Sequence, residues 1–101
     1  MLFEVVHTHP LEKCPAQSAE QAKQFGEWWQ SLKKAAGVKI LSGYVTPADH
    51  TFYITVEAED FELLMKALGP LVGIGTGHIS PVMTLDKIFP LAESGAFRAQ
   101  K

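Results

Sequence analysis

The sequence predicts one α+β domain, with four strands in a single antiparallel sheet and two helices on one of its faces. Apolar and polar residues alternate with period two in four segments separated by turn residues. Two stretches between those segments instead repeat apolar residues at steps of three and four. The order along the chain is strand, helix, strand, strand, helix, strand.

The first strand covers Leu2 to His9, with Phe3, Val5, His7 and His9 on one side and Leu2, Glu4, Val6 and Thr8 on the other. Pro10 lacks the N–H a ladder needs, so the chain leaves the sheet there. Ser18 and Gln21 have the spacing of a capping box and open a helix. Its stripe is Ala22, Phe25, Trp29, Leu32 and Ala36. Lys33 and Lys34 suit the negative end of its dipole, and Gly37 supplies the left-handed stop. Val38 to Val45 is the second strand, with Val38, Ile40 and Tyr44 on one face, and Thr46 to Asp49 is turn chemistry. The third strand, His50 to Glu57, alternates Phe52, Ile54 and Val56 with Tyr53, Thr55 and Glu57. Glu59 and Asp60 open a second helix with the stripe Phe61, Leu64, Met65 and Leu68, ending at Gly69-Pro70. Gly73, Gly75 and Gly77 mark a flexible connector, and His78 to Leu85 is the fourth strand. Residues 1–89 form the domain; residues 90–101 read as a tail that is either mobile or reaches a partner.

This is the order of the ferredoxin-like split βαβ arrangement. Right-handed crossovers put the first strand between the third and fourth, with the second at an edge. The end of the first strand then lies beside the starts of the third and fourth, which gathers all four histidines at one end of the sheet. Parity refines the set. His7 and His9 share a face with Phe3 and Val5, and His50 shares one with Phe52 and Ile54, so these point toward the helices. Cys14 hangs in the loop at the same end. His78 shares parity with Ser80 and Val82, faces away and ranks second.

His7, His9, Cys14 and His50 therefore form a candidate metal site. Imidazole and thiolate select zinc, nickel or copper over magnesium or calcium. The competing structural reading makes the histidines strand-end caps and Cys14 a small half-buried hydrophobe. A catalytic Cys–His pair is a further option, without an identifiable oxyanion donor beyond the first helix N-terminus. Trp28 and Trp29 read as core or subunit contact. The glycine-rich run 69–77 lacks a Gly-Lys-Ser/Thr ending and precedes a strand, so it is not a phosphate loop.

Composition sets the outer bounds. A chain of 101 residues with 20% charged and 47% hydrophobic residues is ordinary for one globular domain. A formal net charge of -2 gives no footprint for nucleic acid. No apolar run reaches the roughly 18 residues of a membrane span. One cysteine allows no internal disulfide, which with the absence of a leader-like start suits a reducing cytoplasm.

From residue 2 to about residue 89 the chain resembles the dimeric α+β barrel superfamily, through its strand order and the apolar open face of Leu2, Val6, Leu41, Val45, Tyr53 and Val82. The resemblance implies two sheets packed face to face in a homodimer. The superfamily includes small monooxygenases, isomerases, haem proteins and metal-binding proteins. His7-Thr8-His9 with Cys14-Pro15 and Asp49-His50-Thr51 is similar to a group of small uncharacterised proteins.

The reading that follows is a small cytoplasmic homodimer holding one transition-metal ion per chain. The alternative is a monooxygenase- or isomerase-type enzyme acting on a small organic molecule between sheet and helices, with Tyr44 or a histidine as general acid or base.

Overall fold

The computed structural model describes residues 1–98. Its strands are β1 (Leu2–Thr8), β2 (Val38–Thr46), β3 (Thr51–Ala58) and β4 (Thr76–Val82), and its helices α1 (Ala19–Leu32), α2 (Phe61–Ala67), α3 (Gly69–Val72) and α4 (Leu85–Glu93). The four strands form one sheet in the order β2-β3-β1-β4, with every neighbouring pair antiparallel. That is the strand order expected from the crossover rule.

One face of the sheet carries the core. Phe3, Val5, Ile54, Val56 and Ala58 are buried there together with Val38, Leu32, Leu64, Leu68 and Leu71. Phe25, Trp28 and Trp29 of α1 pack against this cluster. The helix starts are built as their capping residues predict. The Ser18 hydroxyl accepts the Gln21 N–H at 3.1 Å, and the Asp60 carboxylate accepts the Leu63 N–H at 2.7 Å. Ala22 and Ala36 stay exposed, so the buried stripe of α1 is shorter than the periodicity suggested.

Four local departures have physical causes. A β-bulge between Ile40 and Ser42 reverses the facing of the rest of β2. Val45 therefore lies opposite Phe52 on the helix face, while Tyr44 lies opposite Tyr53 and is 72% exposed on the open face. Tyr44 is thus not the inward residue, nor Val45 the outward one, that simple alternation gives. His50 does not open β3. It closes a 3-10 turn, Pro47–Asp49, in the left-handed conformation at φ 50°.

The fourth strand starts earlier than its first alternating pair, since Gly77 is part of β4 and not of a connector. A side chain at Gly77 would collide with the Val6 carbonyl, so only glycine allows β4 to run this close to β1. Last, the stretch read as strand end and tail is helical from Leu85 to Glu93. Leu85, Ile88 and Phe89 have the i, i+3, i+4 spacing of a helix. Pro90 hides it in the sequence, yet the turn closes past it through Ser94 N–H to the Pro90 carbonyl at 3.0 Å. Ala99, Gln100 and Lys101 of the expected tail lie outside the described residues.

Two glycines test this packing. A Cβ at Gly26, inside α1, meets nothing within 4 Å, whereas one at Gly43 comes within 2.7 Å of the Trp29 ring. Gly26→Ala should stabilise the protein by up to about 1 kcal/mol through helix propensity. Gly43→Ala should destabilise it by about 1–3 kcal/mol through overpacking. Urea denaturation midpoints of the two variants check both signs.

Candidate metal centre

The site is assembled at the end of the β1–β3 ladder. Beyond Thr8, the His9 N–H still donates to the His50 carbonyl at 3.2 Å, which ties the two histidine backbones together across the strand ends. Thr51 secures the corner. Its hydroxyl donates to the Asp49 carbonyl at 3.1 Å and accepts from the Thr8 hydroxyl at 3.0 Å. Histidine is among the residues that enter the left-handed region, and His50 does so here at a modest backbone cost. Leu11–Lys13 make a single 3-10 turn closed by Cys14 N–H to the Leu11 carbonyl at 3.1 Å, and Pro10 and Pro15 bracket it. This turn carries Cys14 back over the two rings.

His9, Cys14 and His50 each present one ligand atom, and the three atoms lie within 4.8 Å of one another. A tetrahedral ion with bonds of ~2.0 Å to nitrogen and ~2.3 Å to sulfur needs two nitrogens and one sulfur roughly 3.3–3.5 Å apart. His9 is only 4% exposed, and its Nε2 is buried with no hydrogen-bond partner among the described residues. A buried polar atom left unpaired costs roughly 1–3 kcal/mol.

His7 sits behind His9 and outside the three-donor group. Its Nε2 lies 3.3 Å from His9 Nδ1. Its ring stacks on Phe52, with centroids 5.7 Å apart and planes at 12°. The other side is closed by Gly75, where a Cβ would come within 2.6 Å of His7 Cε1. His78 pairs with Val6 on the open face, is exposed, and takes no part in the cluster.

A cavity of about 470 Å³ adjoins the three donors, and eight further residues line it, among them Leu11, Gln17, Phe25, Val45, Pro47 and Phe52. Phe52 is its hub, stacked with Phe25 at 5.6 Å and tilted against His9 at 5.4 Å. Its inward parity was readable from the sequence. Val45 was hidden by the bulge, and Leu11 by the absence of any periodic pattern in its loop.

Burial holds the pKa of both His7 and His9 below the ordinary histidine value, and a neighbouring imidazole, His9 for His7 and His50 for His9, adds to it. Both rings are thus biased toward the neutral form that can accept a metal. Linkage fixes the sign: the unfolded chain takes up protons near pH 6.5 while the folded rings still resist them. The stability contributed by the neutral rings is present above pH 6.5 and falls as pH drops from there to their lowered folded values. Chelator-treated protein should therefore lose stability between pH 7.5 and pH 5. The double variant His7→Gln/His9→Gln should show a flatter dependence over the same range, measured by urea midpoint at each pH.

No curated protein matches this sequence. The profile of one family, described as a domain of unknown function (DUF3303), matches residues 1–96, nearly the whole chain. The chain belongs to the DUF3303 family.

Proposed function

We propose that this protein binds one transition-metal ion per chain through His9, Cys14 and His50. The observations that carry the proposal are the convergence of three donor atoms within 4.8 Å and a buried His9 Nε2 with no hydrogen-bond partner among the described residues. One thiolate and two imidazoles suit zinc, nickel or copper. His7 then acts from outside the coordination sphere. With Nε2 on the ion, His9 carries its proton on Nδ1 and donates it to His7 Nε2, which fixes the His9 tautomer and ring orientation. A free thiol among the donors fits a reducing compartment such as the cytoplasm.

Two features support a homodimer of the α+β barrel type built on the ferredoxin-like order. The open sheet face presents Tyr44, Tyr53 and Val82, and α4 presents Leu85, Phe89 and Leu91 to solvent. The described chain is also extended, 57 × 29 × 20 Å with a radius of gyration of 16.5 Å, against about 13 Å for a compact domain of 100 residues. A nine-residue helix is marginal alone in water, so α4 needs a surface to pack on. A second copy offers one with matching apolar character. An enzymatic role is favoured by one observation, the cavity beside the three donors. A bound ion would supply Lewis acidity there. Tyr44 plays no part in that reading, because it stands on the opposite face of the sheet.

Protein purified without a histidine tag should contain close to one zinc, nickel or copper ion per chain by elemental analysis. Chelator should lower its melting temperature, since an ion at a hundred times its Kd stabilises by about 2.7 kcal/mol. The variant His9→Ala/His50→Ala should melt at the same temperature with and without chelator. His7→Ala should retain the ion with affinity reduced about 10–100-fold. Metal content near zero, with no chelator effect on the wild type, defeats the proposal.

Assembly is checked separately. Light scattering should give twice 11.1 kDa at micromolar concentration. Leu85→Glu/Phe89→Glu should shift the protein toward monomer. A wild-type monomer would remove the dimer from this reading.

A further inference from the structure

A tetrahedral ion held by these three donors would have one position left over. Among the described residues no fourth histidine, cysteine or carboxylate joins His9, Cys14 and His50. All three line the 470 Å³ cavity, so a ligand seated in it would lie beside the donor atoms. The rest of the lining is mainly apolar, with Leu11, Phe25, Val45, Pro47 and Phe52 prominent; its one further polar side chain, Gln17, donates its amide N–H to the Leu11 carbonyl. Among the described residues no Asp, Glu, Lys or Arg lines the cavity. The volume falls within the range typical of small-molecule sites, which are mainly apolar with a few polar groups fixing orientation.

Charge narrows the class of occupant. A divalent ion with one thiolate and two neutral imidazoles carries a net charge of about +1. One monoanionic donor atom neutralises it. A second negative charge on the occupant would lose part of its hydration against Phe25 and Phe52, and no cationic side chain among the described residues lines the cavity to pair with it.

We propose that the fourth coordination position accepts a small apolar molecule, aromatic or branched aliphatic, bearing a single monoanionic donor such as a thiolate. The inference rests on the metal-binding reading above. With an ion held by His9, Cys14 and His50, such a thiol would lose its proton to solvent and its sulfur would take the place of a water on the ion, with no change of oxidation state. His7 and Phe52 keep the His9 imidazole in place while the apolar part of the molecule packs on the Phe25–Phe52 pair, whose centroids are 5.6 Å apart.

The test uses the full-length protein loaded with cobalt(II), whose visible absorption reports coordination. Two thiols are titrated, benzyl mercaptan and 2-mercaptoethanesulfonate, which share a donor and differ in apolar bulk and in one added negative charge. Benzyl mercaptan should change the cobalt spectrum saturably and bind at least tenfold more tightly than the sulfonate. Leu11→Asn and Val45→Thr alter positions that are half or more exposed, so the fold should persist. Each should weaken benzyl mercaptan at least threefold and leave cobalt uptake unchanged. Cobalt uptake with no spectral response to thiol, or with equal affinity for the two thiols, overturns this inference and leaves the metal site standing. Failure to take up cobalt overturns both.

Discussion

The register of β1 on β3 is the constraint on which the site depends. Leu2 lies opposite Glu57, and the pairing runs without a break to Thr8 opposite Thr51. The His9 N–H to His50 carbonyl bond carries it one step further. Because side chains alternate, a slip of one residue would move His7 and His9 to the open face along with Phe3 and Val5. The same burial of Phe3, Val5, Ile54 and Val56 that stabilises the fold therefore orients the imidazoles. Core and site are two ends of one ladder.

The interior end of that ladder is unusual in chemical character. His7 and His9 are 5% and 4% exposed, beside Phe52 and Phe25, in surroundings that favour hydrocarbon. One hydrogen bond between the two rings satisfies one nitrogen of each, and burial keeps both biased toward neutrality. An apolar pair of similar volume would pack there without leaving Nε2 unpaired. Retaining two buried imidazoles and an orphan nitrogen thus costs stability in the absence of a partner, and this cost is what a bound ion would offset.

Much of this arrangement is legible in the sequence because it follows from parity and proline. Period-two alternation put His7 and His9 inside, Pro10 ended the strand, and the order of elements brought Cys14 and His50 to the same corner. Backbone irregularities are what it did not reveal. The bulge at Leu41 exchanged the faces of Tyr44 and Val45, and no residue type there announces it. The left-handed turn at His50 and the close approach of Gly75 to His7 are likewise set by tertiary packing. These decide that His9, Cys14 and His50 converge while His7 stands behind. The helix at Leu85–Glu93 was masked by an internal proline, and from Asp86 onward the apolar pattern was too sparse to be told from a tail.

The three donors also differ in how firmly the backbone holds them. His9 and His50 are clamped to each other across the strand ends, whereas Cys14 rides on one 3-10 turn that is exposed from Leu11 to Lys13. Loop motions of this kind run on nanosecond to microsecond timescales, far faster than opening of a sheet. If an ion is bound as proposed, Cys14 would be the donor whose position rests on local chain geometry alone, while His9 and His50 would stay fixed as long as the sheet stays paired. The sulfur is then the point at which such an ion could be exchanged without opening the fold.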